Sequence, residues 1–262
     1  DKWFVVYDGK ERKKYDKIKM GSVTEINNKL VYIAEQDYKE FIVYGGKEWQ
    51  KYDEVENFVE INNKLAYKAK QGYKHFVVYN GQEQKKYDSV SGLTKINNKL
   101  VYKAEQGEKQ FIVYDGKKQK EYDMVWKPYE FNGKLLYLAK SKKGDTFMVY
   151  DGEERKNKYD RIYSITKINN KLAYRALKGD LKNNKQFVVY GGEKQKEYNN
   201  VLSLTEINNK ITYIASQEDK EFIIYGDKQK KYDKVALSPV EINNKLVYAA
   251  QEGDQWYIIK QK

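Results

Sequence analysis

The chain has no cysteine, one histidine, two prolines and three methionines in 262 residues. Without cysteine there is no disulfide framework, no thiolate metal site and no cysteine nucleophile, and the redox compartment stays open. Any imidazole base or ligand would have to be His75, which speaks against metal hydrolase and Ser-His-Asp chemistry. No apolar run approaches the roughly 18 to 20 residues needed to cross a bilayer. The sequence opens on Asp1-Lys2-Trp3 rather than on a basic and then apolar leader. The expectation is a soluble chain without a membrane span, with a secreted or periplasmic location favoured if a leader has been removed. A 3.6-residue apolar period is missing as well, so no helix is expected.

Charge, by contrast, is abundant: 50 Lys and Arg against 38 Asp and Glu give +12 and a pI near 9.3. Both signs are interspersed, as on a solvated surface, and the excess predicts only a general attraction to polyanions.

The sequence repeats itself. Ile26-Asn27-Asn28-Lys29-Leu30-Val31-Tyr32 returns at Ile61, Ile96, Phe131, Ile168, Ile207 and Ile242, at intervals of 35, 35, 35, 37, 39 and 35 residues. A second element, Phe-Ile-Val-Tyr, starts at Phe4, Phe41, Phe76, Phe111, Phe147, Phe187 and Phe222, with a degenerate copy from Trp256 to Ile259. A third, Tyr-Asp, stands at Tyr15, Tyr52, Tyr87, Tyr122, Tyr159 and Tyr232, and as Tyr-Asn at Tyr198.

Each unit reads as four short strands, since β-branched and aromatic runs alternate with turn chemistry. In the first full unit the expected strands are A over 22–26, B over 29–35, C over 40–44 and D over 47–55. Asn27-Asn28, and its variant Asn132-Gly133, fit the two left-handed positions of a type I′ hairpin turn; Gly45-Gly46 and Asp115-Gly116 do the same between C and D. In strand C, Phe41 and Val43 share one face and Ile42 and Tyr44 the other. Both faces are apolar, so each sheet must be stacked between copies of itself.

The expected fold is all-β: a seven-bladed β-propeller of about 35-residue four-stranded repeats, forming one domain over 1–262. Repeat starts fall near Ser22, Asn57, Gly92, Lys127, Ser164, Ser203 and Ser238. The ring is expected to be closed by N- and C-terminal strands, residues 1–18 completing the last blade and removing exposed edges. One strand C is then surplus, either that from Trp3 to Tyr7 or that from Trp256 to Ile259.

The order of these elements resembles bacterial WD-like, TolB-type propeller repeats. In those a Ser-Pro-Asp-Gly-Lys hairpin precedes an Ala-Tyr-Val-Ala strand, a Phe-Val-Val strand, Asp-Gly-Lys and Tyr-Asp. Here Ile-Asn-Asn-Lys replaces the first turn, and the likeness spans nearly the whole chain. WG repeats are a weaker match, through Lys-Trp and Lys-Tyr-Asp without the Trp-Gly dipeptide. The resemblance implies a propeller fold and a tendency toward protein interaction; it implies no activity.

Packing accounts for most of the 26 tyrosines, since three per repeat supply 21 of them. The Tyr-Asp aspartates are expected to tie strand ends to loop amides. Glu25, Glu60, Lys95, Glu130, Lys167, Glu206 and Glu241 form a row before the Asn-Asn turns; a cation bound there is the less favoured reading, because two lysines interrupt the carboxylates. His75 occupies a position where other units carry Glu40, Gln110, Thr146, Gln186 and Glu221, and such tolerance predicts an exposed, incidental histidine.

Positions that break the repeat carry more information than those that keep it. Phe58, Trp126, Tyr129 and Tyr163 are placed in or beside D–A connections, and Tyr38, Tyr73, Lys178, Lys182 and Lys185 in B–C loops. Together they form the candidate binding surface on the loop-rich face, aromatic as interfaces are. The expected function is a non-catalytic, monomeric protein-binding or scaffold propeller without cofactor or metal. A lectin-like glycan binder and a weak polyanion binder are the alternatives; specific nucleic-acid binding is not expected.

Overall fold

The computed structural model describes residues 2–156, 159–179, 185–236 and 238–261. Every regular element among them is a β-strand. The chain forms two compact units, residues 1–156 and 157–262. The first holds a terminal hairpin and sheets we number I to IV; the second holds sheets V to VII.

The repeat is a β-propeller-type blade. Sheet II shows it plainly: strands Glu54–Ile61, Lys64–Gln71, Lys74–Tyr79 and Gln82–Glu83 run as an antiparallel meander in chain order. Its A–B turn is Asn62-Asn63 with φ of 52° and 61°, so both central residues are left-handed as a type I′ turn demands. Strand C alternates as expected. Phe76 and Val78 pack back against Val31, Ile33 and Ile42 of sheet I, while Val77 packs forward against Leu100, Tyr102 and Phe111 of sheet III. Residues such as Phe76 and Phe111 retain no accessible surface, and burying each contributes roughly 1.5–3 kcal/mol.

The fourth strand is much shorter than the sequence predicts. Instead of running over 47–55, it is the two-residue ladder Lys47–Glu48, followed by an isolated bridge between Glu40 and Tyr52. Glu54 and Val55 already pair with Lys70 and Ala69 of the next sheet. The blade boundary thus falls inside the Tyr-Asp dipeptide. The tyrosine is bonded to its own sheet, yet its ring meets the next: Tyr52 lies edge-on to Phe76 at 5.3 Å and Tyr87 to Phe111 at 5.4 Å.

Asn57, Gly92, Ser164 and Ser203, read as repeat starts, lie inside the first strand of their sheets. There two residues oppose one on the partner, between Glu56 and Val59, Ser91 and Thr94, Tyr163 and Thr166, and Leu202 and Thr205. These are β-bulges. Their φ values of 47°, 64°, 48° and 52° are all left-handed, which suits Asn57 and Gly92. In sheets I, IV and VII the same break splits the strand in two, as at Met124–Val125 and Tyr129–Phe131.

At the termini, Val6–Tyr7 and Lys10–Glu11 form a two-stranded sheet of their own, packed through Val5 on Tyr32 and Phe41 of sheet I. In sheet VII the third strand is Gln255–Gln261, which contains Trp256 to Ile259 and pairs with Lys245–Glu252 along its length. The third-strand position of the last sheet is therefore filled from the C-terminal segment, not by Trp3 to Tyr7.

Candidate functional site

The B–C turns are built around the Tyr-Asp aspartates. Asp53 accepts from Lys39 Nζ of sheet I at 2.5 Å and from the Gly72 amide in the B–C turn of sheet II at 2.6 Å. Asp88 repeats this with Lys74 at 2.5 Å and Gly107 N at 2.7 Å, and Asp16 with Lys2 at 2.5 Å and Asp37 N at 2.8 Å. Asp233 is held the same way by Lys220 and by Gly253 N. The lysine bond first, then the amide, holds Asp16, Asp53, Asp88 and Asp233 below the usual carboxylate range. Each carboxylate joins consecutive sheets, and all its strong partners are internal; these aspartates are structural.

On that frame the two B–C tips carry Tyr38 and Tyr73, 91% and 95% exposed. Tyr38 sits at φ 59°, a left-handed conformation that a bulky side chain adopts at a cost. Tyr73 follows Gly72, which takes the left-handed position itself at φ 62°. Neither ring has an intramolecular ring partner among the described residues. Lys178 is exposed at the end of its strand, whereas Lys185 donates to Asn199 Oδ1 at 2.8 Å, and Lys182 lies outside the described residues.

The remaining candidates are not on the turns. Phe58 and Tyr163 stand at or beside mid-strand bulges, and Trp126 and Tyr129 at the break that splits the first strand of sheet IV. Phe58 is half-buried against the core between sheets I and II, at the wall of a cleft of about 440 Å³ shared with Lys19, Met20 and Glu56. Tyr163 lies 5.7 Å from the Arg175 guanidinium, whose Nη1 donates to Val201 O at 2.6 Å. Trp126 stays 39% exposed and Tyr129 half-buried. Tyr38 and Tyr73 thus stand on exposed tips, whereas Phe58, Trp126, Tyr129 and Tyr163 lie along the first strands of their sheets, partly committed to packing.

His75 corrects another expectation. It is half-buried, and the position is an acceptor for the first strand of the following sheet. Glu40 Oε2 accepts from Val55 N at 2.7 Å, Gln110 Oε1 from Val125 N at 3.0 Å, Gln186 Oε1 from Val201 N at 3.1 Å and Glu221 Oε2 from Val235 N at 2.6 Å. The polar types tolerated there are mostly those with an acceptor oxygen. His75 Nδ1 is buried with no partner among the described residues. Desolvation, then Lys68 and Lys70, depress the pKa of the imidazole, against Glu56.

The row of carboxylates before the Asn-Asn turns also acts within and between sheets. Glu130 accepts from Asn97 N at 3.0 Å, Glu241 from Asn208 N at 2.9 Å, and Glu60 pairs with Lys95 at 3.8 Å. Among the described residues no group of three or more His, Cys, Asp or Glu is placed to hold a metal ion. Sequence reasoning missed two sets: the Lys partners, 13 or 14 residues before their aspartates, and the Lys that covers the strand C tyrosine in most blades, as Lys99 does Tyr114 at 5.3 Å.

No family model and no curated protein matches the chain. Among solved structures it is similar to the β-propeller domain of the Trilobed protease from Pyrococcus furiosus, described as having an open velcro topology. Identity is 11%, with 93% of this chain and 94% of that one covered and a TM-score of 0.44. It is also similar to BBS1N in complex with ARL6DN, at 12% identity, 92% and 90% coverage and a TM-score of 0.32. A third similarity is to the dihydro-heme d1 dehydrogenase NirN, at 8% identity, 80% and 58% coverage and a TM-score of 0.40.

Proposed function

We propose that this chain is a non-catalytic protein-binding scaffold that engages its partner through the tips of the B–C turns. The observation that carries the reading is the pair Tyr38 and Tyr73, almost fully exposed on successive sheets whose turns are pinned by Asp16 and Asp53. Rigidly presented aromatics lose little entropy on binding and dominate interface energetics. The strained backbone at Tyr38 argues the same way, since folding alone is better served by Gly or Asn there. Trp126 and Lys178 extend the candidate surface. The blades are near copies of one another, which supports a binding rather than a catalytic role.

A photo-crosslinking residue placed at 38 or 73 should capture one partner from the source cell, and Tyr38→Asn with Tyr73→Ser should abolish capture from a third exposed position, Lys178. Capture equal to that from Lys117, at the start of the fourth strand of sheet III, would sink the reading. A single-domain, closed seven-bladed, monomeric ring is part of the proposal. Small-angle scattering should give a compact disc with a central hole, and a profile fitted only by an open arc would refute closure.

A further inference from the structure

The Asn-Asn turns of sheets VI and VII flank a groove of about 910 Å³, lined by Glu206, Asn208, Asn209, Lys210, Tyr225, Glu241, Asn243, Asn244 and Lys245. We propose that this groove binds a neutral oligosaccharide, a role independent of the protein-binding surface on the B–C turns.

The chemistry of the walls narrows the ligand by elimination. Two carboxylates face two ammonium groups, so a ligand of either net charge gains little. The Tyr225 ring is buried and covered by Lys210 at 4.8 Å, which leaves no apolar floor for a hydrophobic ligand. What remains is a dense set of planar amides and charged groups that offer both donors and acceptors at neighbouring points. Vicinal hydroxyls, which donate and accept at once, match such a set.

Some of these groups are committed and some are not. Asn208 is the fixed post: its amide nitrogen donates to Glu241, and its Nδ2 to Tyr225 OH at 2.9 Å and to Asn244 O at 3.1 Å. Glu206, Lys245 and the side chains of Asn209 and Asn243 have no hydrogen-bond or ion-pair partner among the described residues. In sheets I to IV several of the corresponding groups are engaged. Glu60 is taken by the Asn63 amide and Lys95, Lys99 by Asp115, Lys134 by Asp151, and Glu25 by Tyr7 OH. In sheet VI the aspartate that would hold Lys210 is replaced by Gly226. The groove between the turns of sheets VI and VII thus keeps two charged groups and two side-chain amides free to meet a ligand.

The test is an amide-correlation NMR titration of the whole chain with cellobiose, lactose and N,N′-diacetylchitobiose, each up to about 10 mM, since binding without a stacking ring should be weak. Shifts confined to residues 206–210 and 241–245, including the Asn209 and Asn243 side-chain amides, are expected with at least one sugar. Asn209 and Asn243 sit at φ 57° and 52°, so Asn209→Gly with Asn243→Gly removes both amides while keeping the backbone conformation. That variant should melt like the parent and bind at least about 10-fold more weakly, whereas Asn28→Gly at the matching turn position of sheet I should bind as the parent does. No shift with any of the three sugars, shifts elsewhere, or affinity unchanged in the double glycine variant would each overturn the proposal.

Discussion

Replacing His75 with glutamine should stabilise the protein, and more so in acid. In four other blades the residue at this position accepts a backbone N–H from the next sheet, at 2.6 to 3.1 Å. The matching donor beyond His75 is the amide of Val90, while His75 Nδ1 is buried without a partner. Supplying a carboxamide oxygen there adds one hydrogen bond and removes one orphaned acceptor, worth about 1 kcal/mol. For a chain this size that is about 2–4 °C in melting temperature.

The pH dependence has a definite sign. The folded-state pKa of His75 lies below its ordinary value of 6.5 through burial and the nearby Lys68 and Lys70. The neutral form is therefore favoured in the folded state. Its stability contribution is complete above the unfolded pKa and is lost as pH falls through the folded one. Melting curves of parent and His75→Gln should diverge below pH about 6.5, the parent falling faster. Equal or lower stability of the variant at neutral pH, with parallel curves in acid, would refute the acceptor argument.

Truncating Phe111 to Ala should cost about 3–5 kcal/mol by denaturant titration, because a fully buried ring between sheets II and III leaves a cavity. The carboxyls of Asp53 and Asp88 should titrate below the usual aspartate range by carbon-detected NMR, and the stability their depressed pKa values confer should disappear as pH falls through them, being intact above pH about 4. Residues 62–207 sum to +13. Fluorescence anisotropy with a labelled oligonucleotide and with heparin should show weak, sequence-independent binding that largely vanishes by about 0.15 M salt. Sequence discrimination or persistence at high salt would favour a nucleic-acid function instead.

What the sequence discloses and what it conceals follow from the range of the interactions involved. The Asn27-Asn28 turn and the alternation of Phe41, Ile42 and Val43 are local, so turn chemistry and a period of two reveal them without tertiary knowledge. The bulges do not announce themselves. Asn57 and Ser203 carry the same left-handed signal as a turn, and only pairing with the neighbouring strand distinguishes a kink within a strand from a break between two. For that reason the sequence alone places Phe58 and Tyr163 in or beside D–A connections. At His75 the tolerance among Glu, Gln and His looks like exposure in sequence, whereas most of these side chains share an acceptor oxygen aimed at the following sheet. Tyr38 and Tyr73 were legible, since an aromatic between turn residues has no strand to pack in.

The carboxylates of Asp16, Asp53, Asp88 and Asp233 each reach only one sheet ahead, to a single turn amide, and only one lysine back. Such links carry no information about how many blades precede or follow. A whole repeat can then be gained or lost by duplication or deletion of one segment, provided the cut respects the lysine, the aspartate and the glycine that answer one another. Growth by units, with each new blade bringing its own fastening, is the evolutionary counterpart of a joint that reaches no further than its neighbour.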